Sequence, residues 1–158
     1  SESQLDRFMM RIDLGFPAAE DETAVLERYG TIAAAAAVMG KPAPGDISAE
    51  QIDAARECAD RVHVSAELLA YVRGIAGASR EHAQIALGLS TRGALALLHA
   101  ARVAAALRGA EFVAPDDVKE VVPWVVPHRL TLSPEAALEG RSDRELTRAL
   151  LERVPVPR

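Results

Sequence analysis

Residues 94–107 form a run of alanine, leucine and valine broken only by His99 and Arg102, with Ser90 ahead of it and Gly109 just behind. No other stretch limits the fold as much. Ser90 can cap the free N–H groups of a first helical turn, the run is made of strong helix formers, and Gly109 suits a left-handed residue closing the helix. A helix apolar on nearly all sides belongs in the middle of a helical core. Arg92 is out of character, because it falls in the first turn, where the helix dipole is already positive. It reads either as a cation aimed at an anion outside the helix, phosphate being a natural neighbour of helix N-termini, or as an arginine that snorkels to solvent or pairs with a carboxylate.

Only 4% of the 158 residues are aromatic although 49% are hydrophobic, so the core must be built of small aliphatic side chains, which favours close-packed helices over a sandwich or barrel. A net charge of −5 without a basic block argues against a nucleic-acid partner. Cys58 is the single cysteine, which excludes an internal disulfide and fits a reducing, cytoplasmic setting. The longest apolar run, Ile32 to Met39, falls far short of the roughly 20 residues that span a bilayer, so no membrane insertion is expected.

Taken in order, Phe8 to Leu14 alternates as a half-buried strand does, with Phe8, Met10, Ile12 and Leu14 on one face. It has few candidate partners, short extended pieces around Val62–Val64 and Leu130–Leu132. A lone strand cannot satisfy its backbone, so its sheet is expected outside this chain. Helical patterns follow. Glu20, Asp21 and Glu22 load one first turn, with Val25, Leu26 and Tyr29 as its apolar stripe. Five alanines and the Gly40–Gly45 loop come next. A capping box at Ser48–Gln51 opens a helix with Ile52, Ala55 and Ala59 inward and Cys58 packed as a small hydrophobe. Ser65 caps a helix through Leu68, Leu69, Val72, Ile75 and Ala76. Pro115 starts one facing Val118, Val121, Val122 and Val125 inward, with Pro123 expected to kink it, and Ser142–Glu145 boxes the last. The expected fold is mainly α, five or six packed helices behind one strand.

Catalytic patterns are absent from the sequence itself. His63, His82, His99 and His128 lack helical metal-site spacing, and Gly40-Lys41 lacks the glycine and Ser/Thr of a phosphate loop. Asp116-Asp117 reads as charge complementing a helix dipole.

Two motifs in order resemble the C-terminal part of a MoxR-type AAA+ ATPase. Ser3-Gln4-Leu5-Asp6-Arg7-Phe8 resembles the box that leads into the last core strand, and Gly88-Leu89-Ser90-Thr91-Arg92-Gly93 resembles the sensor-2 segment, usually G-A-S-P-R-A. Gly15-Phe16-Pro17, Val113 to Lys119, His128-Arg129-Leu130 and Leu150 to Pro157 are similar to the family's lid sequence. Thr91 stands for the usual proline, Gly93 for alanine, and Ala114 for a capping threonine, so that helix should fray more. Residues Ala33–Gly45 look like an insertion or a rewritten loop.

The resemblance implies that residues 1–16 end an AAA+ core and residues 17–158 form its helical lid. Arg92 would be the sensor-2 arginine on the phosphates of ATP, and Arg7 an arginine finger acting in trans, unless it merely pairs with Asp6 or meets solvent. ATP with Mg²⁺ would be the parent protein's cofactor, and no tight nucleotide binding is expected of this chain alone. The implied partners are copies of itself in a ring, a hexamer, and a von Willebrand A-type domain protein, in chaperone-like remodelling of protein complexes. The alternative is a stand-alone helical interaction module with no nucleotide role.

Overall fold

The structure, a computed structural model, describes residues 2–33, 45 and 47–157. It divides into two units, one of residues 1–12 and 54–158 and one of residues 13–53.

The larger unit holds the core. It opens with the short helix α1 (Glu2–Leu5) and a turn over residues 6–9. Helix α3 (Ala49–Arg61) enters it, and Ala59 is the buried residue of that helix. Helix α4 (Ala66–Glu81) is capped by Ser65, whose side chain accepts from the Leu68 N–H, and it buries Leu68, Tyr71, Val72, Ile75 and Ala76. The alanine-rich helix α5 (Thr91–Leu107) is central as expected. Leu97, Ala101 and Ala105 are wholly buried, and small side chains let neighbouring helices approach closely. It ends at Gly109 with φ +74°, and the Ala110 N–H reaches back to the Ala105 carbonyl.

Helix α6 (Pro115–Val125) packs its valine stripe, Val118, Val121, Val122 and Val125, into the same core. Pro123 lies inside it, and the helix continues for two residues beyond. A 3₁₀ turn (Pro127–Arg129) follows, then the short helix α7 (Pro134–Leu138), and α8 (Asp143–Arg153), whose Ser142/Glu145 capping box is formed in both directions. Strand β1 (Ile85–Leu87) pairs antiparallel with β2 (Thr131–Leu132). Leu130–Leu132 was a candidate strand, whereas β1 and α7 are too short to show a period in the sequence.

Several expectations are corrected. Residues 10–14 run on without a ladder partner among the described residues, and Phe8, Ile12 and Leu14 are exposed, so the strand expected over residues 8–14 is not formed among the described residues. Cys58 is exposed rather than packed, with its sulfur 3.2 Å from a guanidinium nitrogen of Arg61. Asp117 is more than a surface complement to a dipole. It is buried, accepts from Arg108 Nε at 2.7 Å and Nη2 at 2.8 Å, and accepts from the Ala114 N–H at 2.7 Å. That last bond covers a backbone group at the helix start, where alanine has no side chain to help.

In the smaller unit, helix α2 (Ala19–Tyr29) carries Glu20, Asp21 and Glu22 in its first turn, and of its apolar stripe Val25 and Leu26 are exposed while Tyr29 is half-buried. The Ser48/Gln51 box forms, with Ser48 N–H to Gln51 Oε1 at 2.8 Å and the reciprocal bond at 3.2 Å. All of the expected alanine run but Ala33, and most of the Gly40–Gly45 loop, lie outside the described residues. No helix among the described residues is long and apolar enough to cross a membrane.

Candidate functional site

Gly88 to Gly93 is a strap laid over the end of α4. The Leu89 N–H donates to Ser79 Oγ at 2.8 Å, Ser79 Oγ donates to the Ala76 carbonyl at 2.7 Å, and Arg80 Nε donates to the Leu89 carbonyl at 2.9 Å. Both backbone groups of Leu89 are thereby held, and its side chain is fully buried. Ser90 then does two things with one hydroxyl. It accepts from the Gly93 N–H at 3.0 Å as the N-cap of α5, and it donates to the carboxylate of Asp6 at 3.0–3.1 Å.

Gly93 has a packing reason that the sequence hides. A Cβ there would stand 2.5 Å from Leu89 Cδ1 and 2.9 Å from Arg129 Cδ. The stem of Arg129 therefore crosses the first turn of α5 where an alanine would stand.

Arg129 joins the parts. Its side chain is 2% exposed, yet it is charged, as arginine always is in proteins. Nη1 donates to the carbonyls of Met9 (3.0 Å) and Val125 (2.6 Å), and Nη2 donates to those of Asp6 (3.1 Å) and Phe8. Nε lies 3.3 Å from the Asp6 carboxylate, an ion-pair contact without hydrogen-bond alignment. Burial pulls the guanidinium below its ordinary range, Asp6 opposes that shift, and the charge of Arg92 adds to it. His128, whose Nε2 is 3.1 Å from the Phe8 carbonyl, is likewise held below its usual value, first by burial.

The two arginines singled out from the sequence are both exposed. Arg92 stands in the first turn of α5 with no hydrogen bond or ion pair among the described residues. Arg7 sits in the turn after α1, its guanidinium 5.5 Å from the centroid of the Phe8 ring. Asp6 is engaged by Ser90 and Arg129, so the expected alternative of an Arg7–Asp6 pair is not what forms. An open cleft of about 860 Å³ lies alongside, lined by Asp6, Arg11, Arg80, Ser90, Thr91 and Arg129 among others. Arg11 closes one side through a 2.8 Å ion pair with Asp143. No metal-binding cluster occurs among the described residues.

Residues 77–150 match the AAA lid domain family. The chain is also 32% identical, over 165 residues, to the chaperone MoxR1 of Mycobacterium tuberculosis, covering 99% of this chain and 42% of that protein. It belongs to the MoxR-type AAA+ ATPases and carries their lid region. An uncharacterized protein of Bacillus subtilis, YeaC, is 33% identical over 159 residues, covering 99% of this chain and 47% of YeaC. A crystal structure from Cytophaga hutchinsonii, of a protein provisionally called an ATPase, superposes on the whole chain with a TM-score of 0.83 at 29% identity, covering 49% of that protein. The chain thus spans about half the length of the relatives it matches. The helical MoxR-type fold expected from the motifs is the one observed.

Arg129 is the residue that sequence reasoning passed over. His128-Arg129-Leu130 shows in the sequence only a likeness to the family's lid, and no local signal reveals that the partners of Arg129 lie about 120 positions upstream.

Proposed function

We propose that this region couples ATP binding and hydrolysis in the intact MoxR-type protein to movement of its lid, and so to remodelling or assembly of protein complexes. The observation that carries the reading is Arg92, an exposed guanidinium at the mouth of a helix whose N-terminal end is already positive, with no anion paired to it among the described residues. A charge left so placed is stabilised by an anion brought from outside, and a forked donor suits phosphate oxygens. In this reading ATP with Mg²⁺ sits in the α/β part of the protein and supplies the phosphoryl group that water attacks. Arg92 then binds its phosphate oxygens from the lid of the same subunit, and loss of the terminal phosphate releases the lid.

Arg7, exposed in its turn, is offered to the neighbouring subunit of a ring, a hexamer by family likeness. An arginine supplied in trans contributes about 10³–10⁵ in rate in well-studied phosphoryl transfer. The ring would act in the cytoplasm with a partner of the von Willebrand A-domain type. Steady-state hydrolysis by the intact protein tests the reading. Arg92→Ala should cut turnover or abolish its response to nucleotide. Arg7→Ala should cut turnover as well, and be rescued in mixed rings where the mutant surface meets a wild-type active site. Wild-type turnover by both variants would refute it.

A further inference from the structure

The Arg129 side chain grips a segment that comes more than a hundred residues earlier. Its donors reach the carbonyls of Asp6, Phe8 and Met9, which bracket Arg7 on both sides, and its fourth carbonyl partner, Val125, fixes it to the end of α6. Asp6 completes the circuit, holding Arg129 with one oxygen and accepting from the N-cap hydroxyl of α5 with both. The stem of Arg129 also packs under Gly93, one residue from Arg92. One buried arginine side chain therefore meets the turn that bears Arg7 with its guanidinium and the turn that bears Arg92 with its stem.

We infer that Arg129 is a positioning residue that fixes the Arg7 turn to the start of α5, so that the two phosphate-directed arginines are presented as one rigid piece. The inference rests on the proposed roles of Arg7 and Arg92 only for its effect on turnover. The grip itself is a statement about backbone order. Movement of the lid helix is thereby transmitted to the finger turn without passing through the rest of the core, because Asp6 and Ser90 make the link directly. Lysine cannot replace the fork, since one ammonium cannot direct donors to carbonyls spread over the Asp6–Met9 turn and to Val125 at once.

The test uses the intact protein, with amide hydrogen exchange of residues 6–10 and a double-mutant cycle in ATP turnover. Arg129→Met should raise exchange of those amides by about tenfold or more, the signature of a locally released segment. It should also lower kcat by roughly 100-fold, the scale of misplacing a catalytic group by about an ångström. Its effect should shrink in an Arg7→Ala background, since residues acting through one another are non-additive. Arg129→Lys should not rescue. Unchanged exchange at residues 6–10, or a kcat loss that adds in full to that of Arg7→Ala, overturns the inference. If Arg7→Ala retains wild-type turnover, the finger reading fails by itself, and the exchange data still decide whether the grip exists. If Arg129→Met does not fold, Asp6→Asn decides the matter. It leaves the carbonyl bonds in place and removes the charge link, and it should give the same pattern at smaller amplitude; no change in exchange again overturns the inference.

Discussion

Gly88→Ala is the sharpest probe of how the strap is built. A Cβ at this position would lie 2.6 Å from the Arg80 amide nitrogen, 2.7 Å from the Ser79 carbonyl carbon and 2.8 Å from Arg80 Cα. All three are backbone atoms of α4, which cannot swing aside as a side-chain tip can, so the strap must lift. Overpacking of this kind costs about 1–3 kcal/mol. Lifting also stretches the Leu89–Ser79 and Arg80–Leu89 bonds, each with a net worth of about 0.5–1.5 kcal/mol. A loss of about 2–4 kcal/mol follows, and for a chain of this size that lowers the unfolding midpoint by roughly 5–15 °C. Gly77→Ala is the matched control. It lies in α4 with nothing within 4 Å of the added methyl, so helix propensity alone should stabilise by about 0.5–1 kcal/mol. Circular-dichroism melts of the two variants should therefore move in opposite directions. A Gly88→Ala melt at or above the wild-type midpoint would refute the close approach on which the strap depends.

Other expectations are simpler. Arg108 holds the Asp117 carboxyl below the ordinary carboxylate range, so its contribution to stability is present above pH about 4 and is lost as acid protonates it in the fold. Asp117→Asn should lower the midpoint at pH 7 and flatten the acid limb of a stability–pH profile, whereas an unchanged acid limb would argue against the pair. Leu97→Ala, at a fully buried site in α5, should cost about 2–5 kcal/mol in urea unfolding.

The fold was readable where its causes are local. Ser48, Ser65, Ser90 and Ser142 each cap a helix because cap and target are three residues apart, and the valines of α6 mark their buried face by spacing alone. Ser90 and Arg92 were visible for the same reason. Three things were not. The alternation at residues 8–14 is a strand's pattern, but a ladder needs neighbours, and none is supplied by the described residues. Cys58 sits one position from the buried Ala59, and a one-residue shift on a helix changes which side meets solvent. The grip of Arg129 depends on chain closure across more than 110 residues, which no window of sequence contains. Asp117 lies between these cases. Its place in a first turn was plain, while its burial depends on Arg108 arriving from the end of another helix.

A guanidinium that holds carbonyl oxygens pays no heed to which amino acids carry them. The exposed side chains of Phe8 and Met9 can therefore drift widely while the main chain beneath them keeps its course. That freedom leaves the outward surface beside Arg7 open to be rewritten for a new neighbour, with the position of the arginine itself undisturbed.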